Sequence, residues 1–254
     1  TNMLFDSIVY GPIHSRRLGV SLGMNLMPTT VKLCTFDCVY CECGWNQPVS
    51  HPVLPTRKQV SEALTSQLST LNTPLDVITF SGNGEPTLHP EFLDIIEDTC
   101  ALRDQYCPNA KISVLSNSTQ LGRPEVIEAL RLCDNRILKL DSAIDATMQL
   151  IDQPVNPNLT VEQIAQWLSL FEGDFTLQTC FLRGEYHGQI IDNTTPAELS
   201  AWYAMIKRLH PKQVMIYVID RATPLQTLSK VPASEMEAIA EPLRQQGIDV
   251  IVCA

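Results

Sequence analysis

The sequence predicts an α/β fold: a partial (β/α)6 barrel, with a short strand and turn ahead of it and a short strand after it. Three observations carry the prediction. Apolar runs of strand length alternate with amphipathic stretches of helical length along nearly the whole chain, the pattern of a parallel sheet. Glycine-containing and polar stretches follow the strands, where sites in parallel α/β folds collect. The length of 254 residues suits one barrel-type domain. We expect 1–17 to be an extension, 18–230 the barrel core and 231–254 a closing helix and strand.

Residues 4–17 read as a short strand and turn. In 18–26, the alternation of Val20, Leu22, Met24 and Leu26 fits a strand of period two, ended by Pro28. Residues 42–55 hold Pro48, Pro52 and Pro55 and read as a loop. Thr56 to Gln59 is a capping-box pattern opening a helix with Val60, Ala63, Leu64, Leu68 and Leu71 as its stripe. Strands are then expected at 76–80, 111–115, 136–140, 175–182 and 213–219. Helices are expected at 90–106, 124–132, 143–151, 160–171, 196–209 and 234–246. Pro196 sits where a first-turn proline is favoured, and 248–252 is a last short strand. That makes six central strands plus a terminal one, fewer than the eight of a closed barrel, and predicts a lateral opening for a large substrate.

Hydrophobic residues make up 44% of the chain and charged residues 18%, enough apolar material for a sizeable core. The formal net charge is −10. Each neutralised phosphate needs a Lys or Arg, and no basic run exists beyond Arg16-Arg17 and Lys207-Arg208, so a nucleic-acid footprint is disfavoured. No signal peptide is visible, and no apolar run approaches the roughly 18 residues a membrane span needs. Nine cysteines, an odd number with three packed together, do not read as a secreted disulfide framework. We expect a reducing cytoplasm. Met3 reads as the native start, with Thr1 and Asn2 a remnant ahead of it.

The cysteine loop is the first chemical stretch. Cys34, Cys38 and Cys41 are spaced C-x3-C-x2-C within eight residues. Thiolates are the soft ligands that iron–sulfur clusters and zinc prefer. Three of them hold a [4Fe–4S] cube and leave one iron open. A zinc site needs a fourth ligand, which Cys43 or His51 supplies. The second stretch is Gly82-Asn83-Gly84-Glu85, set directly after a strand, where two glycines permit close backbone approach to a ligand. Read alone, it is also an ordinary Gly-rich turn with an exposed Glu.

Further candidates stand at strand ends. Ser116, Asn117 and Ser118 are either polar ligand contacts or an N-cap cluster for the next helix. Lys139 lies inside the apolar run Ile137-Leu138-Lys139-Leu140-Asp141 and is costly to bury unpaired. Its partner is read as Asp141, Glu85 or a ligand carboxylate, the alternative being an edge-facing Lys. Gln178, Arg183, Tyr217 and Arg221 either line a substrate space or are solvated strand ends. His14, Arg16, Arg17 and Asn25 are weaker candidates of the same kind. Cys100, Cys133, Cys180 and Cys253 read as buried inert thiols, Cys107 as exposed, and Cys43 as a ligand, a reactive thiol or neither.

The cysteine spacing, with the aromatic Tyr40 before the third cysteine, resembles the radical S-adenosylmethionine (SAM) enzymes. Gly82 to Glu85 resembles their GGE motif, with Asn83 in place of the second residue. The runs 10–19, TFDCVYCECG, SGNGEPTLHPEF, KLD and IYVIDRATP together look like the wyosine-synthase-related group of that superfamily. The resemblance covers nearly the whole chain and implies a radical SAM barrel. It implies Cys34, Cys38 and Cys41 as ligands of a [4Fe–4S] cluster whose open iron chelates SAM. It places Tyr40 against the adenine, Phe36 as a shield of the cluster, Gly82 to Glu85 at the SAM amino group, and Ser116 and Asn117 at the ribose or carboxylate. Its chemistry is reductive cleavage of SAM to a 5′-deoxyadenosyl radical that takes hydrogen from a substrate. Electrons would come from a separate flavodoxin or ferredoxin. Wyosine-forming enzymes carry a second cluster on cysteines ahead of the SAM motif; this sequence has none before Cys34. A peptide, a protein or a metabolite suits the acidic charge better than an RNA base. The reading from a different class is a zinc- or cluster-binding module with no use for the glycine turn.

Overall fold

The computed structural model describes residues 3–254; Thr1 and Asn2, read above as a remnant, lie outside the described residues. The chain forms two compact units, Met3–Cys34 with Asn46–Ile137, and Thr35–Trp45 with Leu138–Ala254.

In the first unit, β1 (Val9–Ser15) runs antiparallel to β2 (Gly19–Asn25), with Val9 opposite Met24 and a register shift between Tyr10 and Ile13. Next come α1 (Arg57–Thr70), β3 (Val77–Ser81), α2 (Phe92–Tyr106), β4 (Lys111–Ser116) and α3 (Pro124–Leu132). The pairs β2–β3 and β3–β4 are parallel, with Ser21 beside Val77 and Val77 beside Lys111. The predicted alternation in β2 is replaced by burial of every residue from Ser21 to Asn25. That is the behaviour of a strand covered on both faces, here one flanked by antiparallel β1 and parallel β3.

Helix α1 starts where the capping box predicts. Thr56 accepts from the Gln59 amide and the Gln59 side chain accepts from the Thr56 amide, while Val60, Leu64 and Leu68 face inward. Thr56→Ala removes one of these reciprocal bonds and is expected to cost about 1 kcal/mol, read as a lowered urea midpoint at unchanged slope. Helix α2 buries Phe92, Ile95 and Ile96, and Phe92 meets Phe80 edge-on at 6.2 Å.

The second unit continues with the same alternation. The division between units falls within β5 (Asn135–Lys139), and α4 (Asp145–Asp152), α5 (Val161–Ser169) and β6 (Thr176–Cys180) follow. After β7 (Leu182–Tyr186) and β8 (Gln189–Asp192) come α6 (Pro196–Leu209), β9 (Gln213–Tyr217), β10 (Ser229–Lys230), α7 (Ala233–Gln245) and β11 (Asp249–Cys253). Strand order runs β1-β2-β3-β4-β5 and then β5-β6-β9-β11. β6–β9 and β9–β11 are parallel. The six central strands and the terminal one are those the sequence predicts, and the fold is an α/β partial barrel. Trp202 of α6 is 2% exposed, packs edge-on against Phe181 at 5.1 Å and donates from Nε1 to Thr179. Burial of that area makes α6 a main fastener of its sheet.

One element departs from the sequence reading. The expected strand 175–182 is two strands, β6 and β7, parted at Phe181, whose amide donates to Tyr217 O. β7 turns through His187 and Gly188 into β8, and β10 completes a small antiparallel sheet in the order β10-β7-β8. His187 and Gly188 both have positive φ, 50° and 75°, the geometry of a two-residue hairpin turn. The sequence signal for this hairpin is the Gly between two short alternating runs; Arg183 and Gly184, which the sequence reads as the strand's end, lie inside β7, opposite Asp192 and Ile191. No helix among the described residues is long and apolar enough to cross a membrane.

Candidate active site

In the first unit the glycine turn serves the cysteine loop. Gly84 has φ +143°, and a Cβ built on it would lie 1.7 Å from Leu33 O. Leu33 and Gly84 form a parallel bridge, the Leu33 amide donating to Asn83 O at 2.9 Å and the Glu85 amide to Leu33 O at 3.1 Å. Only glycine lets two backbones approach so closely, and the segment so held ends at Cys34. The Asn83 side chain is fully buried and spent on backbone: Nδ2 donates to Phe5 O and Pro28 O, and Oδ1 accepts from the Phe5 amide. Asn25, at the end of β2, accepts at Oδ1 from the Asn83 and Met27 amides, while its buried Nδ2 meets no acceptor among the described residues. Among the sequence candidates, Asn83 and Asn25 therefore act as braces of the turn.

Glu85 is 2% exposed, not the solvated acid of an ordinary turn. Its Oε1 accepts from Thr87 Oγ1 at 2.6 Å and Ser116 Oγ at 2.8 Å, and Oε2 accepts from the Asn117 amide at 2.7 Å. Burial pushes its carboxyl above the ordinary range, against the pull of these hydrogen bonds. Asn117 Nδ2 donates to Cys34 Sγ at 3.5 Å. Ser116 and Asn117 thus gather at the end of β4 around Glu85 and Cys34. Ser118, at φ +70°, is buried there too.

The second unit holds the rest of the loop and a second polar centre. The Asp37 amide donates to Asp152 O and the Val39 amide to Ile151 O, so the loop leans on the end of α4. Phe36 is buried at 1% exposure. Lys139 Nζ donates to the hydroxyl of Tyr40, to Asp141 Oδ2 at 3.2 Å and to Tyr217 Oη at 3.1 Å, and lies 4.9 Å from the Tyr40 ring centre. Tyr40 Oη donates to Asp141 Oδ2, and Asp141 Oδ1 accepts from the Cys180 amide at 2.8 Å. Of the partners weighed for Lys139, Asp141 is the one found. Burial works to lower the Lys139 pKa, but the Asp141 charge, then Tyr217, carry it well above the usual lysine value. Burial and Asp141 push the Tyr40 hydroxyl up. Gln178 is buried, its Nε2 3.8 Å from Met215 Sδ.

Sequence reasoning missed Asp152. It ends α4, is 1% exposed, and takes the Cys38 thiol at 3.6 Å. Its signal was an acid in the last turn of a helix, where the dipole opposes negative charge. Burial and then Asp152 hold the Cys38 thiol well above its ordinary pKa, and burial with Asp141 raises Asp152 likewise. Arg183 and Arg221, offered for a substrate space, are ion-paired, Arg183 with Glu235 and Asp192, Arg221 with Glu42 at 2.9 Å.

None of the nine cysteines is in a disulfide; Cys38 is buried, and Cys34, Cys41 and Cys43 are half-buried. Among the described residues no three ligating side chains already stand as a metal site. The fit to a cluster rests on donor chemistry: three thiols in one short loop, with an amide N–H on the first. A buried neutral thiol such as Cys38 becomes a thiolate when a metal ion takes the proton's place.

The chain matches the sequence profile of the Radical SAM superfamily over residues 29–177. It is 30% identical to a UPF0026 protein of Helicobacter pylori over 84% of this chain and 67% of that one. Among solved structures, it is similar to Streptococcus suis SuiB bound to S-adenosylmethionine, with TM-score 0.64 at 10% identity, covering 91% of this chain and 49% of that one. The chain thus spans about half the length of SuiB. It is also similar to TYW1 with a lysine-pyruvate adduct bound, with TM-score 0.64 at 16% identity, covering 89% of this chain and 73% of that one. These structural likenesses establish the fold. The profile match, which takes in the whole cysteine loop and the Gly82 to Glu85 turn, establishes more than a fold: this chain is a member of the radical SAM superfamily.

Proposed function

We propose that the protein is a radical SAM enzyme in which Cys34, Cys38 and Cys41 ligate a [4Fe–4S] cluster. The observation that carries this is the Leu33–Gly84 bridge, which ties the cysteine loop to the turn preceding Glu85. A zinc-binding module needs the cysteines but has no need of that turn. When bound, such a cluster would supply the one electron for reductive cleavage of SAM into methionine and a 5′-deoxyadenosyl radical.

The chain's own residues have the remaining tasks. In this reading the turn Gly82 to Glu85 and the strand end Ser116 and Asn117 flank the place of SAM. Glu85 acts on that pocket through the groups it holds. Tyr40, Lys139 and Asp141 form a polar centre whose lysine is neutralised by Asp141, and Gln178 of β6 is assigned to the same SAM-binding face. Phe36 and Val39, both 1% exposed or less, keep water from the loop. Electrons come from a separate flavodoxin or ferredoxin.

For substrate we favour a peptide, protein or metabolite over tRNA. The net charge is −10, and Arg57, Arg103, Arg183, Arg208 and Arg221 are each paired with a carboxylate. Arginines so engaged are poorly placed to neutralise phosphates.

The test is anaerobic reconstitution with iron and sulfide, addition of dithionite and SAM, and mass spectrometry of 5′-deoxyadenosine. Product above the level of the triple Cys34, Cys38, Cys41→Ala variant is expected. Glu85→Ala is expected to weaken SAM binding at least 10-fold, measured by equilibrium dialysis. SAM binding that Glu85→Ala leaves unchanged would remove Glu85 from the SAM pocket, and no SAM binding by the unaltered, iron-loaded protein would favour the metal-binding module.

A further inference from the structure

Glu85 occupies an unusual position in the first unit. Its backbone amide holds Leu33, the residue before Cys34, and its carboxylate holds the Asn117 amide at 2.7 Å. Asn117 in turn reaches Cys34 Sγ with Nδ2 at 3.5 Å. The orientation of that amide is fixed independently. Asn117 Oδ1 accepts from the Thr119 amide at 3.1 Å and Thr119 Oγ1 at 2.8 Å, so the nitrogen, not the oxygen, faces sulfur. Asn117 is 6% exposed and Glu85 2%, so neither bond competes freely with water. One residue thus sets both ends of an N–H···S contact: the sulfur through the backbone, the donor through the side chain.

We propose that Asn117 tunes the cluster through Cys34 and that Glu85 is the positioning residue for this contact. The inference rests on the proposed cluster at Cys34, but it assigns Glu85 and Asn117 a role that needs no bound SAM. An N–H aimed at a ligating sulfur withdraws charge from it and eases reduction of the cluster; hydrogen bonds to the sulfurs are among the terms that set such potentials. Loss of the donor leaves the sulfur richer in charge and the cluster harder to reduce.

The experiment is a dye-mediated redox titration of reconstituted protein without SAM, followed by electron paramagnetic resonance. The variants are Asn117→Leu and Asn117→Asp, which both lack the donor, and Glu85→Gln, which keeps the length but disturbs the acceptors. Circular dichroism selects folded variants, and Asn117→Asp, close to Asn in shape, is the one expected to fold if Leu does not. The expected result is a more negative midpoint in both Asn117 variants, a smaller shift of the same sign in Glu85→Gln, and iron held 10- to 100-fold more weakly against a chelator. Folded, iron-loaded variants with an unchanged midpoint and unchanged spectrum would overturn the tuning role. Absence of iron from the unaltered protein would instead overturn the cluster reading on which it stands.

Discussion

Cys38→Ala is expected to lose the cluster. The variant, reconstituted with iron and sulfide, should be colourless near 400 nm and hold under a tenth of the parent's iron, as second-sphere losses alone already reach 10- to 100-fold and a ligand is worth more. Cys38 is the most buried thiol of the loop, and its neighbours are pinned, Asp37 to Asp152 O and Val39 to Ile151 O. Cys43 is the competing ligand the sequence offers, and a Cys38→Ala variant that kept its iron through Cys43 would refute the assignment. Cys107→Ser, a half-buried thiol at the end of α2, should keep full iron and serves as the control.

Gly84→Ala is expected to break the support of the loop. Its new Cβ would sit 1.7 Å from the Leu33 carbonyl oxygen, a backbone atom, and φ is +143°. Neither partner can rotate away, so the bridge must open. Strain of this kind costs roughly 3 kcal/mol, which at this chain length lowers the melting temperature by roughly 6–12 °C. Iron uptake should fall with it, since the segment displaced ends at Cys34. Gly188→Ala is the contrast: that turn is open, with nothing within 4 Å of an added Cβ, so only the positive φ is charged against it. Equal melting temperatures for Gly84→Ala and the parent would remove the Leu33–Gly84 bridge from the account.

The fold was legible because its signals were local. Each central strand is a short apolar run, and α1, α6 and α5 begin at Thr56, Thr195 and Thr160, whose side chains cap them. The β7–β8 hairpin escaped because Arg183-Gly184 imitates a strand end, and only the pairing of Gly184 with Ile191 reveals the continuation. In the site, the cysteines and the glycine turn stood out by residue type and spacing. What they do to one another did not. That Gly84 serves Leu33, that Asn83 holds Phe5 and Pro28, and that Glu85 is buried on Ser116 and Asn117 are contacts between segments 30 to 80 residues apart along the chain. Asp152 was invisible for the same reason: it lies 114 residues from Cys38. Lys139 was the intermediate case. A charged residue in an apolar strand demanded a partner, and Asp141 was close enough in sequence to be named.

Everything proposed for this loop depends on an iron–sulfur cluster that meets SAM. The most direct measurement is electron paramagnetic resonance of the anaerobically reconstituted, dithionite-reduced protein before and after SAM, with metal counted on the same sample. The expected result is about four irons per chain, a reduced-cluster signal, and a change in that signal on SAM addition. About one zinc per chain, no iron and a spectrum indifferent to SAM would contradict it.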